Sequence, residues 1–476
     1  MDHVIPGLTA NKYKDFMKDT GSSMSRRHFL RHTAAVTAAF SIVPRHVLAG
    51  SGDAAPSRKL NIAGIGVGGV GKDNLDACKA ENIVALCDVD PGNAAEIYQL
   101  YPKAKTYKDF RVMLDQQKDI DAVIIATPDH THAVIAMAAM RRGKHVYVQK
   151  PLAHSVKETR VLTEAARRYK VISQMGNQGH SGEGTRLICE WIWSGAIGPV
   201  REVHAWTNRP VWPQGIETAR PKETLPLPQG MAWDLWIGPA PYRPYHPAYH
   251  PEKWRAWWDF GTGSLGDLGC HIMDPVFWAL KLKYPVSVEG CISTYWEDFW
   301  KKTQPKNETY PRSTIVRYKF PAREGMPEVK FTWWDGGLMP PRPDELEPDR
   351  KMGDDDGGVL FIGDKGKLMC GCYGRKPQLI PEAAMREFKP PAKTLERIPG
   401  GQEGHEKDWV RACKDGKLAS SGFDYSGPLS ETVLMGNLAV RFPDRLLLWD
   451  GAKMEITNDP DANAYVTRQY RKGWTL

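Results

Sequence analysis

Asp267 and His271 have the types and spacing to handle the proton of an alcohol oxidation, and Lys150 is a third residue of a suitable type. Removing hydrogen from a secondary hydroxyl needs an acceptor for the hydride. It also needs a group whose pKa lies near the working pH, to take the proton. Asp267 and His271 are four apart, so a helix there puts them on one face. The acid then orients or charge-stabilises the imidazole, or holds a substrate hydroxyl. Lys150 follows the strand-like run His145-Val146-Tyr147-Val148 and approaches from another part of the chain. His271 reads as the proton acceptor and Lys150 as relay and polariser of the developing carbonyl, but the two can exchange roles. His180 is a further proton-transfer candidate.

The hydride acceptor is implied by residues 62–71, Ile-Ala-Gly-Ile-Gly-Val-Gly-Gly-Val-Gly. Gly64, Gly66 and Gly69 fit G-x-G-x-x-G, with Val67 and Gly68 completing the turn. Glycines let the turn be tight and let backbone N–H groups reach a pyrophosphate at a helix N-terminus. A second strand-like run, Ile83 to Cys87, ends in Asp88, which lies 19 positions after Gly69 and close to the ~20 expected of a ribose-holding acid. A carboxylate there repels a 2′-phosphate, so NAD is favoured over NADP, and Asp90 adds to this. Thr127, Pro128, His130 and His132 follow the buried-strand run Asp121–Ala126, at a strand's carboxyl end, where such sheets bind ligands. They join Lys150 and Gln178 as expected cofactor contacts. Asn177 and Gln178 follow the last strand of this region and are placed to bond the nicotinamide carboxamide or a sugar hydroxyl.

These residues need a doubly wound α/β domain, read over 57–178, with a helix predicted over Ala133–Arg142. The remainder, 179–476, has a different texture, rich in Trp, Pro and Gly. It reads as an α+β domain on a mostly antiparallel open sheet, with strands Val200–Trp206, Thr314–Phe320 and Val329–Trp334. Residues 335–358 read as a long loop. A helix over 427–441 is expected to return to the first domain. The chain has 17 tryptophans. Trp faces stack on the C–H side of pyranose rings, so Trp233, with His246, Tyr249, His250 and Arg255, forms a candidate sugar platform.

Ser25-Arg26-Arg27-His28-Phe29-Leu30 followed by the apolar run Ala34–Val43 is a twin-arginine export pattern. A leader over residues 1–50 and a periplasmic or exported destination follow, with Met1 or Met24 as the start. The apolar run is too short to span a membrane, which takes ~20 residues, so no stable membrane anchor is expected. Folded export predicts a cofactor taken up beforehand and tightly retained. Seven Lys+Arg and three Asp+Glu fall in residues 1–49, so the rest carries +4 of the chain's +8. That is mild and has no basic block, so nucleic acid is not an expected partner. The eight cysteines include no C-x-x-C pair, and His246 and His250 are separated by Pro247, so no metal site is predicted.

The glycine turn, Ala126-Thr127-Pro128-x-His130-x-His132, Lys150-Pro151 and Gly263-x-x-Gly266-Asp267-x-Gly269-x-His271 resemble the Gfo/Idh/MocA oxidoreductases, in the family's order, over about residues 58–442. The resemblance implies that Lys150, Asp267 and His271 match the family's catalytic lysine, aspartate and histidine. It further implies a sugar or glycoside substrate, NAD and a dimer or tetramer. The net reaction is then oxidation of a secondary hydroxyl, for instance at C3, or glycoside cleavage through transient C3 oxidation. A non-catalytic sugar-binding protein of the same fold is the remaining reading. Gln149 departs from the usual Glu-Lys-Pro, which leaves open what pairs with Lys150.

Overall fold

The computed structural model describes residues 59–215, 219–298, 301–303 and 308–476. The twin-arginine pattern and the leader lie outside the described residues. Lys59–Leu476 forms one compact unit. Six strands make its first sheet: β1 (Asn61–Ile65), β2 (Asn82–Cys87), β3 (Lys105–Tyr107), β4 (Ala122–Ile125), β5 (His145–Val148) and β6 (Ser173–Met175). All pairs are parallel and the order is β3-β2-β1-β4-β5-β6. Helices cover both faces of such a sheet, so its central strands are mostly apolar; all four residues of β4 are buried, whereas the edge strand β3 (Lys-Thr-Tyr) is largely exposed. The order reverses between β1 and β4, which opens a crevice at the strands' carboxyl ends.

Three helices of this half bear on the site. α1 (Val70–Ala77) follows the glycine turn, α2 (Asp129–Met140) follows β4, and α3 (Val156–Tyr169) follows the Lys150 loop. α2 starts four residues before the predicted Ala133, with Asp129 in its first turn, where an acid suits the helix dipole. His130 and His132 are therefore helical, not loop residues.

The second sheet has nine strands in the order β15-β14-β13-β7-β12-β11-β8-β16-β17. These are β7 (Val200–Thr207), β8 (Ser287–Ile292), β11 (Thr314–Phe320), β12 (Val329–Trp334), β13 (Gly357–Gly363), β14 (Gly366–Gly371), β15 (Gln378–Ile380), β16 (Leu446–Asp450) and β17 (Glu455–Ile456). β9 (Tyr295–Asp298) and β10 (Lys301–Thr303) form a separate ribbon. Every pair in the large sheet is antiparallel except β7 with β12. Between the two sheets run α4 (Gly263–Ile272) and α5 (Phe423–Arg441).

α5 begins four residues before the predicted start, and Pro428 lies inside it. Gly427 belongs within the helix because Thr163 of α3 presses on it: a Cβ there would lie 2.1 Å from the Thr163 hydroxyl oxygen. A two-pronged ion pair, Arg160 to Glu431 at 2.7 Å, locks the same contact. The nucleotide half is also completed from afar. Trp409 and Val410, in the helix His405–Asp415, fill the core beneath Ile62, Leu75, Leu86 and Tyr147. Glu406 accepts hydrogen bonds from Tyr147 and Asn74.

Candidate active site

One cavity of about 290 Å³ runs along the crevice. Gly66, Gly68, Gly69 and Asp88 line one end; Lys150, Arg255 and Asp267 line the other. Gly66 has φ +73°, and a Cβ on it would lie 2.8 Å from the Ala126 backbone. Gly69 has φ +51° and open space where its Cβ would be, at the mouth of α1. That is the room a pyrophosphate takes at a helix N-terminus. Gly64 lies in β1 beneath the turn, where a Cβ would meet Leu75 at 2.9 Å. Val67 is buried beneath the turn and its N–H donates to Asp88 Oδ2 at 2.9 Å. The Asp90 N–H donates to Asp88 Oδ1 at 2.9 Å. Burial pushes the Asp88 carboxyl up, against these two hydrogen bonds.

The second half closes over this end. His250 Nε2 donates to Asp90 Oδ2 at 2.7 Å, and its Nδ1 is buried with no partner. Trp474, held under Arg111 at 4.7 Å, lines the same end with Phe110. The glycine turn, the acid after β2 and the open crevice fit a dinucleotide: Gly66, Gly68 and Gly69 to face the phosphates, Asp88 to face the ribose.

At the other end Lys150 Nζ donates to Asp267 Oδ1 at 2.8 Å and to the Asp267 main-chain oxygen at 2.7 Å. This is the lysine partner that Gln149 left open. Gln149 turns away and donates to Asn74 at 2.9 Å. Burial alone would raise the Asp267 carboxyl, but the charges of Lys150 and Arg255 and the Lys150 hydrogen bond outweigh it and hold it below the ordinary range. Arg255 Nε lies 3.6 Å and Arg209 Nε 3.7 Å from this carboxylate. His132 fixes the lysine loop: its ring nitrogens face the Pro151 oxygen at 2.9 Å and the Thr127 oxygen at 2.8 Å. Thr127, Pro128 and His132 all line the cavity.

His271 shares α4 with Asp267 but makes no hydrogen bond to it among the described residues. Its Nδ1 is buried without a partner, and the Tyr373 ring sits 4.6 Å away. Burial first, then the Lys150 charge, drives its pKa well down, so the ring is neutral. Asp267 thus orients the lysine rather than the histidine, because Lys150 has already taken the carboxylate.

Several expected contacts fall elsewhere. His180 is buried behind the cavity, with Nδ1 3.0 Å from Asp274 and its ring stacked on Trp278 at 4.4 Å. Both ends of the Asn177 amide are occupied, by Ser421 at 2.6 Å and Asp274 at 3.3 Å. Gln178 is half-buried and does not line the cavity. His130 is fully buried between the Phe260 and Trp236 carbonyls, and burial lowers its pKa to about 3. It bolts the two halves together and does not reach the crevice. Trp233 stacks on Trp236 at 4.5 Å and donates to the Arg243 oxygen. Tyr249 packs on Trp257 and Phe260 in the same small core, and His246 caps the Ala248 N–H. These rings were expected at a sugar; they instead bury each other, since a chain segment with this many large rings can build its own core.

Of the platform, His250 and Arg255 reach the cavity, with Trp236 and Trp254. Arg209, Tyr373 and Trp474 were missed. Arg209 had one usable signal, its place just past the carboxyl end of β7. Tyr373 and Trp474 had none.

A six-stranded parallel sheet with a glycine-lined crevice, joined to a nine-stranded mostly antiparallel sheet, defines a two-domain Rossmann-type fold. Residues 60–177 match "Oxidoreductase family, NAD-binding Rossmann fold", and residues 201–299 match that family's C-terminal alpha/beta domain. These two segments are thus similar to the Gfo/Idh/MocA family over residues 60–177 and 201–299. The chain is 31% identical over 146 residues to inositol 2-dehydrogenase of Salmonella paratyphi B, covering 29% of this chain and 43% of that protein. It is 31% identical over 203 residues to glycosyl hydrolase family 109 protein 1 of Shewanella sp. ANA-3, covering 37% and 44%. The chain thus spans less than half the length of these relatives. A levoglucosan dehydrogenase solved with NADH and L-sorbose has the same fold, with TM-score 0.54 at 17% identity over 82% of this chain and 98% of that one.

Proposed function

We propose that this protein oxidises a secondary hydroxyl of a sugar or glycoside, with NAD held on the glycine turn as a tightly retained cofactor. The observation that carries the reading is the single cavity joining Gly66–Gly69 to Lys150 and Asp267. Bound NAD supplies the hydride acceptor. Asp267 holds Lys150 by two of its three donors, which leaves one for the substrate oxygen. At that third position Lys150 presents a lone pair when it takes the hydroxyl proton, and the N–H so formed then donates to the oxygen of the carbonyl product. His271 shares α4 with Asp267 but does not line the cavity, and its lowered basicity does not suit it to accept the proton. The hydroxyl oxidised is, for instance, that at C3.

A second reading, NAD-dependent glycoside cleavage, is favoured by the similarity to a family 109 glycosyl hydrolase. In it a 3-keto sugar has an acidified C2 proton, loses its leaving group, gains water and is reduced again, without the paired carboxylates of ordinary glycosidases. Export through the twin-arginine route and a homo-oligomer complete the proposal.

Protein purified without added cofactor tests this. Denaturation should release NAD. A native sample given glycosides should either reduce its nucleotide once and stall, which is the dehydrogenase, or release free sugar with no lasting reduction, which is cleavage. Protein that carries no nucleotide and does not bind added NAD refutes both.

A further inference from the structure

Three cations crowd the Asp267 carboxylate. Lys150 hydrogen-bonds it, while Arg255 and Arg209 stand at 3.6 and 3.7 Å, too far for a hydrogen bond. Arg209 has a second carboxylate, Asp356 at 3.4 Å, and the Asn208 amide oxygen at 2.5 Å. Arg255 has no other carboxylate within 4.0 Å among the described residues. Its Nη1 donates to the Glu252 main-chain oxygen at 3.2 Å, and its guanidinium lies over Trp254 at 4.3 Å.

The remaining acids on this wall do not neutralise it. Asp129 is buried, takes the Thr262 hydroxyl at 2.5 Å and has its carboxyl raised by burial. Glu252 is exposed. The reacting end therefore presents one flat guanidinium, lying on a tryptophan, that no carboxylate among the described residues engages by hydrogen bonds. A planar fork of this kind matches a carboxylate bidentately.

Resting on the reading of this site as a sugar oxidoreductase, we infer that the substrate is an acidic sugar, a hexuronic acid or its glycoside. Arg255 receives its carboxylate, Trp254 lies alongside, and the hydroxyl to be oxidised lies at Lys150. A phosphorylated sugar fits less well, because a dianion needs more donors than one fork supplies.

The test is equilibrium binding to the NAD-loaded protein. Methyl glucuronides of both anomers are compared with the matching methyl glucosides, the methyl ester of each glucuronide, and glucose 6-phosphate. Nucleotide reduction is read in parallel. The glucuronide should bind about tenfold or more tightly than the glucoside, the step one charge-assisted contact of ~1.4 kcal/mol gives. The ester and the Arg255→Gln variant should each erase that preference, and Arg255→Lys should restore part of it. Equal or tighter binding of the glucoside or the phosphate overturns the acidic-sugar inference and leaves the sugar oxidoreductase standing. Failure of every sugar to bind or to reduce the nucleotide overturns both.

Discussion

Replacing Asp267 with Asn, alone and together with Lys150→Gln, tests whether the two act as a unit. Lys150 spends two donors on Asp267, one of them at 2.8 Å to a carboxylate oxygen, and both side chains are largely buried. Asp267→Asn leaves Lys150, Arg255 and Arg209 facing one another without their shared countercharge. Removing one member of a buried pair costs about 3–5 kcal/mol, and part of this is recovered here because the pair is not fully dry. The lysine also loses its aim, and a misplaced acid–base group costs roughly 10²–10³ in rate. Lys150→Gln should lose as much or more. If the pair is one device, the double variant is no slower than Lys150→Gln within about threefold, and its destabilisation falls short of the sum of the singles by at least about 1 kcal/mol. Single-turnover nucleotide reduction reads the first quantity and denaturant melts read the second. Multiplying rate losses, or an Asp267→Asn enzyme at wild-type speed, would refute the clamp.

Gly69→Ala should fold with a loss of about 1–3 kcal/mol from its positive φ but fail to retain NAD, because the added methyl occupies open crevice; Gly66→Ala should be poorly folded, since its methyl meets the Ala126 backbone. Released nucleotide and melting temperature separate the two. Asp88→Ala should weaken NAD retention and narrow its advantage over NADP, and unchanged preference would remove the ribose assignment. His250→Gln should speed NAD loss about tenfold by breaking the 2.7 Å contact to Asp90, seen in a dilution chase. Asp335 is fully buried, and burial raises its carboxyl from 3.8 to about 7 despite hydrogen bonds from Thr314 and Trp333. The folded state therefore keeps a proton that the unfolded chain has lost. Its contribution to stability declines as pH rises from about 4 to 7, by up to ~4 kcal/mol, and is flat above that. Denaturant melts at pH 5 and 8 should show this slope, and Asp335→Asn should remove it.

The nucleotide half was legible because its signals are local. The glycine turn, the apolar strands and Asp88 lie within thirty residues, and each constrains the backbone directly. The spacing of Asp267 and His271 placed them on one helix, as found, but not the partner of either. That Lys150 takes Asp267 depends on a contact across 117 positions, which no periodicity encodes. The aromatic segment misled for a physical reason: stacking on a sugar and stacking on another ring need the same residues. Trp233 and Tyr249 took the second course. His130 and Asn177 misled similarly, since a polar side chain beside a crevice is equally useful as a bolt. Arg209 and Tyr373 come from strands and turns far along the chain, and only tertiary packing brings them to α4.

The helix His405–Asp415 and α5 give the nucleotide half a peculiar relation to time. A ribosome releases β1 to β6 first, yet Trp409 is not there to cover Ile62 and Leu75, and Glu431 is not there to meet Arg160. The emerging sheet must wait, partly uncovered, while most of the remaining chain is synthesised. Cofactor capture is then an act of the finished polypeptide, and a nascent chain stalled before residue 405 should be open to protease and holdase chaperones alike.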